Sequence, residues 1–226
     1  MTNIFDTLLH LPLFQGVSHE RLRETVEKVP FHFLKFKRGE KIIDRGDPCT
    51  HVRFIISGRV RVTYESRKLK FSLSHELTGP EVIAPDYLFG LDTSYPFTVR
   101  ACEECGTLQV AKNDYMAMLQ SDPVFIYNIL NYLSRNSQAV KTQIINAEQV
   151  SVTERLVMLV GAFTSQRSEH ITLEFRQRDL CRILGARRPA LMTTIGELID
   201  AGLISATSNS VIEINDRKAL LEWLKK

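Results

Sequence analysis

The sequence predicts an α+β chain in three parts: a strand-rich barrel or sandwich, one long helix, and a helix-turn-helix with a hairpin wing. Three observations predict it. Apolar and polar residues alternate over positions 52–65; apolar residues then recur at four- and three-residue steps from 126 to 147. Beyond 150, two short helical stretches meet at a glycine and are followed by two β-rich stretches. The boundaries fall at 1–122, 123–150 and 151–226.

Each element has a local cause. Ser18 with Arg21, Leu22, Val26 and Val29 reads as a short amphipathic helix. Val52, Phe54, Ile56, Val60, Val62 and Tyr64 share one parity, while Arg53, Ser57, Arg59, Arg61 and Glu65 hold the other, the period of half-buried strands. Gly58 interrupts the run as a turn or bulge. Turn signals recur at Lys37-Arg38-Gly39, Arg45-Gly46-Asp47-Pro48, Thr78-Gly79-Pro80 and Glu104-Cys105-Gly106, the punctuation of a barrel or sandwich. Asn113 is the expected cap of a helix reaching Leu119. Ser121-Asp122-Pro123 starts the long helix, with proline in the first turn.

Along that helix Ile126, Leu130, Leu133, Ser137, Val140, Ile144 and Ala147 follow a heptad seam. A second copy of the helix would cover it, so a homodimer is expected, with Ile126, Leu130, Leu133, Ser137, Val140 and Ile144 at the interface. Ser151 with Glu154 forms a capping box, which ends the long helix near Val150. Val152, Leu156, Leu159, Val160 and Phe163 give the next helix its apolar face.

Leu180, Ile183 and Leu184 then have helical spacing, closed by Gly185. Pro189 is tolerated in a first helical turn, and Leu191, Ile195 and Leu198 form the stripe of the following helix, which stops at Asp200-Ala201-Gly202. Two short helices joined by a glycine-containing turn are a helix-turn-helix signature. Leu203–Thr207 and Val211–Ile214 flank Ser208-Asn209-Ser210 as a wing, and Asp216 starts a last helix running to Lys225-Lys226.

Composition narrows the function class. The 226 residues are 44% hydrophobic and 24% charged, as in a globular protein. No apolar run approaches the ~20 residues needed to cross a bilayer. The start Met1–Asp6 has no basic and apolar leader pattern, and four cysteines are too few for a disulfide scaffold. A cytoplasmic protein with no membrane partner is expected. The net charge of +3 is uninformative, but Arg176, Arg178, Arg182, Arg187 and Arg188 cluster against Asp179 alone. Arginines at the start of a second helix reach phosphates and base edges together.

These segments together resemble the cyclic-AMP receptor / fumarate-nitrate regulator (CRP/FNR) family of transcription factors. Leu13-Phe14-Gln15-Gly16-Val17 resembles the family's opening. Gly39-Glu40 to Gly46-Asp47, with Phe54 through Val60, resembles its β-roll, and Gly79-Pro80-Glu81-Val82-Ile83 leads into the pocket segment. Val152-Thr153-Glu154-Arg155 resembles the hinge, and Leu184 through Leu191 the turn and recognition helix, in a variant with proline after arginine. The resemblance implies a cyclic-nucleotide-binding-like β-roll, a dimerisation helix and a winged helix-turn-helix on a palindromic double-stranded DNA operator, with a small-molecule effector and RNA polymerase as further candidate partners.

Carried onto this sequence, it places Arg188 at the base-reading position, where such a side chain grips guanine for ~1–3 kcal/mol of discrimination. Pro189 stands in place of a frequent glutamate and Thr193 in place of an arginine, with Ala190 between them. Arg176, Arg178, Arg187 and Thr194 fall at phosphate-contact positions. In the effector pocket, Ala84 and Pro85 replace the Gly-Glu pair of cyclic-nucleotide sensors, with Asp86 following. Tyr95 and Pro96 replace the Arg-Ser pair, and Val140 and Lys141 stand where hydroxyl residues read adenine. Because phosphate needs donors and positive charge, no cyclic-AMP binding is expected. Arg100 is the remaining anion partner or a structural strand residue.

No cofactor or metal is expected. An N-terminal cysteine cluster for a [4Fe–4S] site is absent, since the first cysteine is Cys49. Cys102-Glu103-Glu104-Cys105 lacks a second pair or nearby histidine to complete tetrahedral zinc. A cupin-type metal-dependent enzyme would need clustered histidines with a carboxylate, whereas His10, His19, His32, His51, His75 and His170 are scattered; no catalytic motif appears, so a non-enzyme is expected. The other alternative is a sensor acting through protein contacts without DNA binding.

Overall fold

The computed structural model describes residues 4–66, 68–145 and 151–223. In chain order the elements are α1 (Ile4–Leu9), α2 (His19–Lys28), β1 (His32–Phe36), β2 (Lys41–Ile43), β3 (His51–Ser57), β4 (Arg59–Glu65), β5 (Phe71–Thr78), β6 (Glu81–Ile83), β7 (Phe97–Ala101), β8 (Cys105–Ala111), α3 (Lys112–Ser121) and α4 (Pro123–Ile145). They continue with α5 (Val152–Phe163), β9 (Glu169–Phe175), α6 (Gln177–Ile183), α7 (Arg188–Asp200), β10 (Ile204–Ser208), β11 (Val211–Ile214) and α8 (Arg217–Glu222). Two compact units result: residues up to 61 with 77–138, and residues 62–76 with 139 onward.

In the first unit β1, β8, β3 and β6 lie side by side, and β2 pairs with β7. Phe14 packs edge-on against Phe54 at 5.6 Å and Phe125 at 5.8 Å, at the centre of the core. The predicted alternation holds for Val52, Phe54, Val60 and Val62, all buried. It slips at Ile56: Ile55 is fully buried instead, because a register shift between Ile55 and Ser57 exchanges the faces there. Gly58 is the turn. At φ +80, an added Cβ would meet the Glu104 carbonyl at 2.6 Å, so only glycine fits.

Two turns and caps differ in detail from expectation. Cys105 and Gly106 already belong to β8, paired with Phe36 and Lys35, so the reversal lies just before them. Asn113 sits inside α3, whose N-cap is Ala111 without a side-chain bond. Ser18 does cap α2, accepting from the Arg21 amide. Asp122 anchors the start of α4: one carboxylate oxygen accepts from the Val124 amide at 3.0 Å, the other from Arg21 Nε at 2.8 Å. Asn128 donates to the carbonyls of Leu13 and Gln15 at 3.2 and 2.8 Å, fixing the first half of α4. The helix end expected near Val150, and Ala147 of the seam, lie outside the described residues.

The second unit is a helix-turn-helix over a sheet ordered β10, β11, β9, β5. The Ser151–Glu154 capping box is present at α5, and Asp216 caps α8 through the Ala219 amide; the expected helix end at Lys225-Lys226 lies outside the described residues. Leu156, Val160, Leu173, Leu180, Leu191 and Leu198 share one core. Leu73 is buried in it as well. Residues of β5 run antiparallel to β9 in the register Phe71↔Phe175, Ser72↔Glu174 and Leu73↔Leu173. The alternation of Ile171, Leu173 and Phe175 with Thr172 and Glu174 is that of a strand, which the sequence reading passed over, whereas the pairing with β5 is not visible in local periodicity.

Candidate nucleic-acid interface and effector pocket

The turn between α6 and α7 is built around Gly185, whose φ of +57 suits a residue without Cβ. The Ala186 amide donates back to the Cys181 carbonyl at 2.8 Å. Arg155 Nη1 donates to the Gly185 carbonyl at 3.3 Å, so the turn is pinned by a side chain from α5 that sequence reasoning had placed only in the hinge. Pro189 takes the second position of α7, where no amide is needed.

Burial of Leu191, Ile195 and Leu198 turns the opposite face of α7 outward. Arg187, Arg188, Pro189, Ala190 and Thr193 are all exposed. Thr194 is a correction: it is 4% exposed and shares a 3.2 Å hydrogen bond with Thr153, so it cannot touch a phosphate. The reason is its phase, since it lies on the leucine stripe itself. Arg176, the N-cap of α6, and Arg178 in its first turn are exposed, with the buried Asp179 carboxylate at 3.9 and 3.8 Å. Neither Arg187 nor Arg188 has a side-chain hydrogen bond or ion pair among the described residues. The wing joins this surface through Gln177, whose amide donates to the Asn209 carbonyl at 3.3 Å. A cleft of about 810 Å³ is lined by Arg176, Gln177, Arg188, Asn209 and Ser210, together with residues of the 65–72 hairpin.

The predicted effector pocket is differently made. Tyr95 is 2% exposed; its hydroxyl accepts from the Cys49 thiol at 2.9 Å and donates to the His51 carbonyl at 3.4 Å. Burial pushes both the Tyr95 hydroxyl and the Cys49 thiol up, so both remain protonated. The Phe97 ring packs 5.6 Å from Tyr95 and 6.0 Å from Tyr87. Ala84 holds a left-handed φ of +39, and Pro85 is buried behind it. Pro96 is half-buried and Asp86 exposed. Arg100 points outward and donates to the Gly39 carbonyl at 3.3 Å, the structural alternative of the two sequence readings. Val140 and Lys141 have side chains outside the described residues, as does Ile144. Sequence reasoning missed Arg53, which crosses to the Ile42 carbonyl at 2.7 Å, and His75. His75 is 4% exposed, stacks with Tyr64 and is held down to about 4 by burial; sequence reasoning counts it among the scattered histidines, although it shares the parity of the buried Leu73.

Among the described residues no group of three or more histidine, cysteine or carboxylate side chains is placed to hold a metal. The four cysteines are free, and burial pushes the Cys105 thiol up, away from the reactive thiolate. No helix among the described residues is long and apolar enough to cross a membrane.

Comparison with known proteins matches two regions of the chain, the first of which includes residues 62–76 of the second compact unit. Residues 33–122 match the Cyclic nucleotide-binding domain family, and residues 152–223 the Crp-like helix-turn-helix domain family. Among solved structures, the catabolite activator protein of Thermus thermophilus is similar in fold at a TM-score of 0.53 and 18% identity, over 95% of this chain and 98% of that one. A transcriptional regulator of Thermotoga maritima has a TM-score of 0.50 at 20% identity, over 57% of this chain and 98% of that one. Two curated relatives are potassium channels of Arabidopsis thaliana. GORK is 32% identical over 49% of this chain, and SKOR 28% identical over 57% of it. The matched parts are only 13% and 15% of those relatives' length.

Proposed function

We propose the following from one premise: this chain belongs to the CRP/FNR family of transcription regulators, and it is a DNA-binding regulator. It acts as a homodimer, in which residues 1–122 sense, 123–150 pair the protomers and 151–226 bind a palindromic operator with half-sites about one helical turn apart. A regulator of this design works without catalysis, in the cytoplasm.

The observation that carries the reading is the unpaired Arg187–Arg188 corner. Two adjacent arginines begin α7, exposed and free of partners among the described residues, while the leucines behind them are buried. Arg188 reads bases; Arg187, Arg176 and Arg178 hold phosphates and set register. Support for pairing comes from α4, where Ile126 and Leu130 are 42% and 57% exposed and Tyr127 is 68% exposed; a second copy covers such a stripe. Selection of genomic DNA fragments by the purified protein should enrich a palindrome, and recovery of no common sequence would reject the reading.

The signal is one other than cyclic AMP. Tyr95 is committed to Cys49 and His51, and prolines stand at positions 85 and 96, so the segment supplies neither the charge nor the backbone donors that a cyclic phosphate requires. Calorimetric titration with cyclic AMP should give no heat of binding; micromolar affinity would reject this part. Any effector acts by binding the DNA-competent arrangement more tightly than its alternative. Contact with RNA polymerase belongs to the same reading, and a pull-down of polymerase on operator DNA tests it.

A further inference from the structure

We infer that the hairpin tip between β4 and β5 is part of the DNA-contact surface, with Lys68 and Lys70 holding phosphates beside the bases that Arg188 reads. The inference rests on the DNA-binding reading and adds to it a contact from a segment outside residues 151–226. Its origin is the unexpected membership of residues 62–76 in the second unit. β5 adds itself to β9 as a further strand, with Leu73 buried in the shared core.

That pairing puts the tip at the start of the helix-turn-helix. The Lys70 carbonyl accepts from the Arg176 amide at 2.8 Å, and the Lys70 amide donates to the Asp179 carboxylate at 3.1 Å. The Lys70 backbone is thus held through both its amide and its carbonyl, while Lys68 and Lys70 remain exposed. Ser66 Oγ accepts from the amides of Lys68 and Leu69 at 3.3 and 3.1 Å, and the Ser66 amide donates to the Phe71 carbonyl at 3.0 Å.

Lys70, Arg176 and Arg188 line one cleft, whose far wall is the wing tip at Asn209 and Ser210. Glu65 and Glu174 also line it, so its lining is of mixed charge. A polyanion gripped by Arg188 passes within reach of the exposed lysines of the tip. The lysines of the tip act as point charges on phosphate, without sequence preference.

Salt titration of DNA binding tests this with full-length protein. The probes are a fluorescein-labelled mixed-sequence duplex several helical turns long and the enriched palindrome. Replacing both residues, Lys68→Ala with Lys70→Ala, removes four cations from a duplex bound by two chains and should flatten the plot of log affinity against log salt by about 4, close to one for each phosphate no longer neutralised. Affinity for both duplexes should fall by the same factor, and Lys68→Arg with Lys70→Arg should restore the slope. An unchanged slope overturns the inference. So does tighter binding by the alanine variant, which would make the hairpin an obstruction to DNA. Absence of salt-dependent binding by the unaltered protein would instead remove the DNA reading on which the inference stands.

Discussion

The two units of this chain differ in where arginines left unspent by the fold stand together. In the first unit Arg53 is spent on the Ile42 carbonyl, Arg100 on the Gly39 carbonyl and Arg21 on Asp122. In the second, Arg155 and Arg217 are spent similarly, on Gly185 and Thr164, yet Arg187 and Arg188 stand at the head of α7 with no such partner among the described residues. A cation bonded to its own backbone carbonyls is part of the scaffold. One that the fold exposes and leaves unpaired keeps its hydrogen-bonding capacity for something outside. Exposed arginines without a partner among the described residues also stand singly in the first unit, at Arg23 and Arg38, so it is the adjacency of Arg187 and Arg188 at the head of a helix that marks the face.

The comparison can be broken by substitutions on each side of it. The largest effect should come from a buried group of the second unit. His75 is held neutral, its ordinary value of 6.5 lowered to about 4 by burial. Its contribution is complete above pH 6.5 and is lost as pH falls towards 4, because the unfolded chain then binds a proton that the fold refuses. The full loss is about 3 kcal/mol. Urea unfolding between those pH values should show it, and His75→Gln should remove that part of the pH dependence. Next, Arg188→Ala should reduce discrimination between operator and mixed-sequence DNA by about 1–3 kcal/mol, with thermal stability unchanged. Arg187→Ala should weaken binding to both alike.

On the scaffold side, Arg53→Ala should lower unfolding stability by about 2 kcal/mol, the scale of a hydrogen bond from a charged donor, and leave the salt dependence of DNA binding untouched. The smallest effect belongs to Thr194. Thr194→Val should cost about 1 kcal/mol of stability through removal of the Thr153 bond, with no change in operator affinity. A large drop in affinity would restore Thr194 to the DNA face.

These expectations also show what can be read along a chain. Signals carried within a few residues of one another were legible: the Ser151–Glu154 box, the Asp216 cap, Gly185 in the turn and the alternation through Val52, Phe54, Val60 and Val62. Thr194 was legible too, but hidden by the family position assigned to it. It falls three residues after Leu191 and four before Leu198, so the helical period that buries those leucines buries it. Ile56 failed because a one-residue shift inverts parity, and alternation alone does not announce a bulge. The β5–β9 pairing was out of reach. Its partners are about a hundred positions apart, and a half-buried strand does not say which neighbour it will find.

The claim that a pair of these chains grips DNA through the exposed ends of α7 is tested most directly by measuring binding stoichiometry on the enriched palindrome. Two chains per duplex are expected, with affinity falling as salt rises and abolished when the half-sites are moved half a turn apart. One chain per duplex, or binding indifferent to half-site spacing, would contradict it.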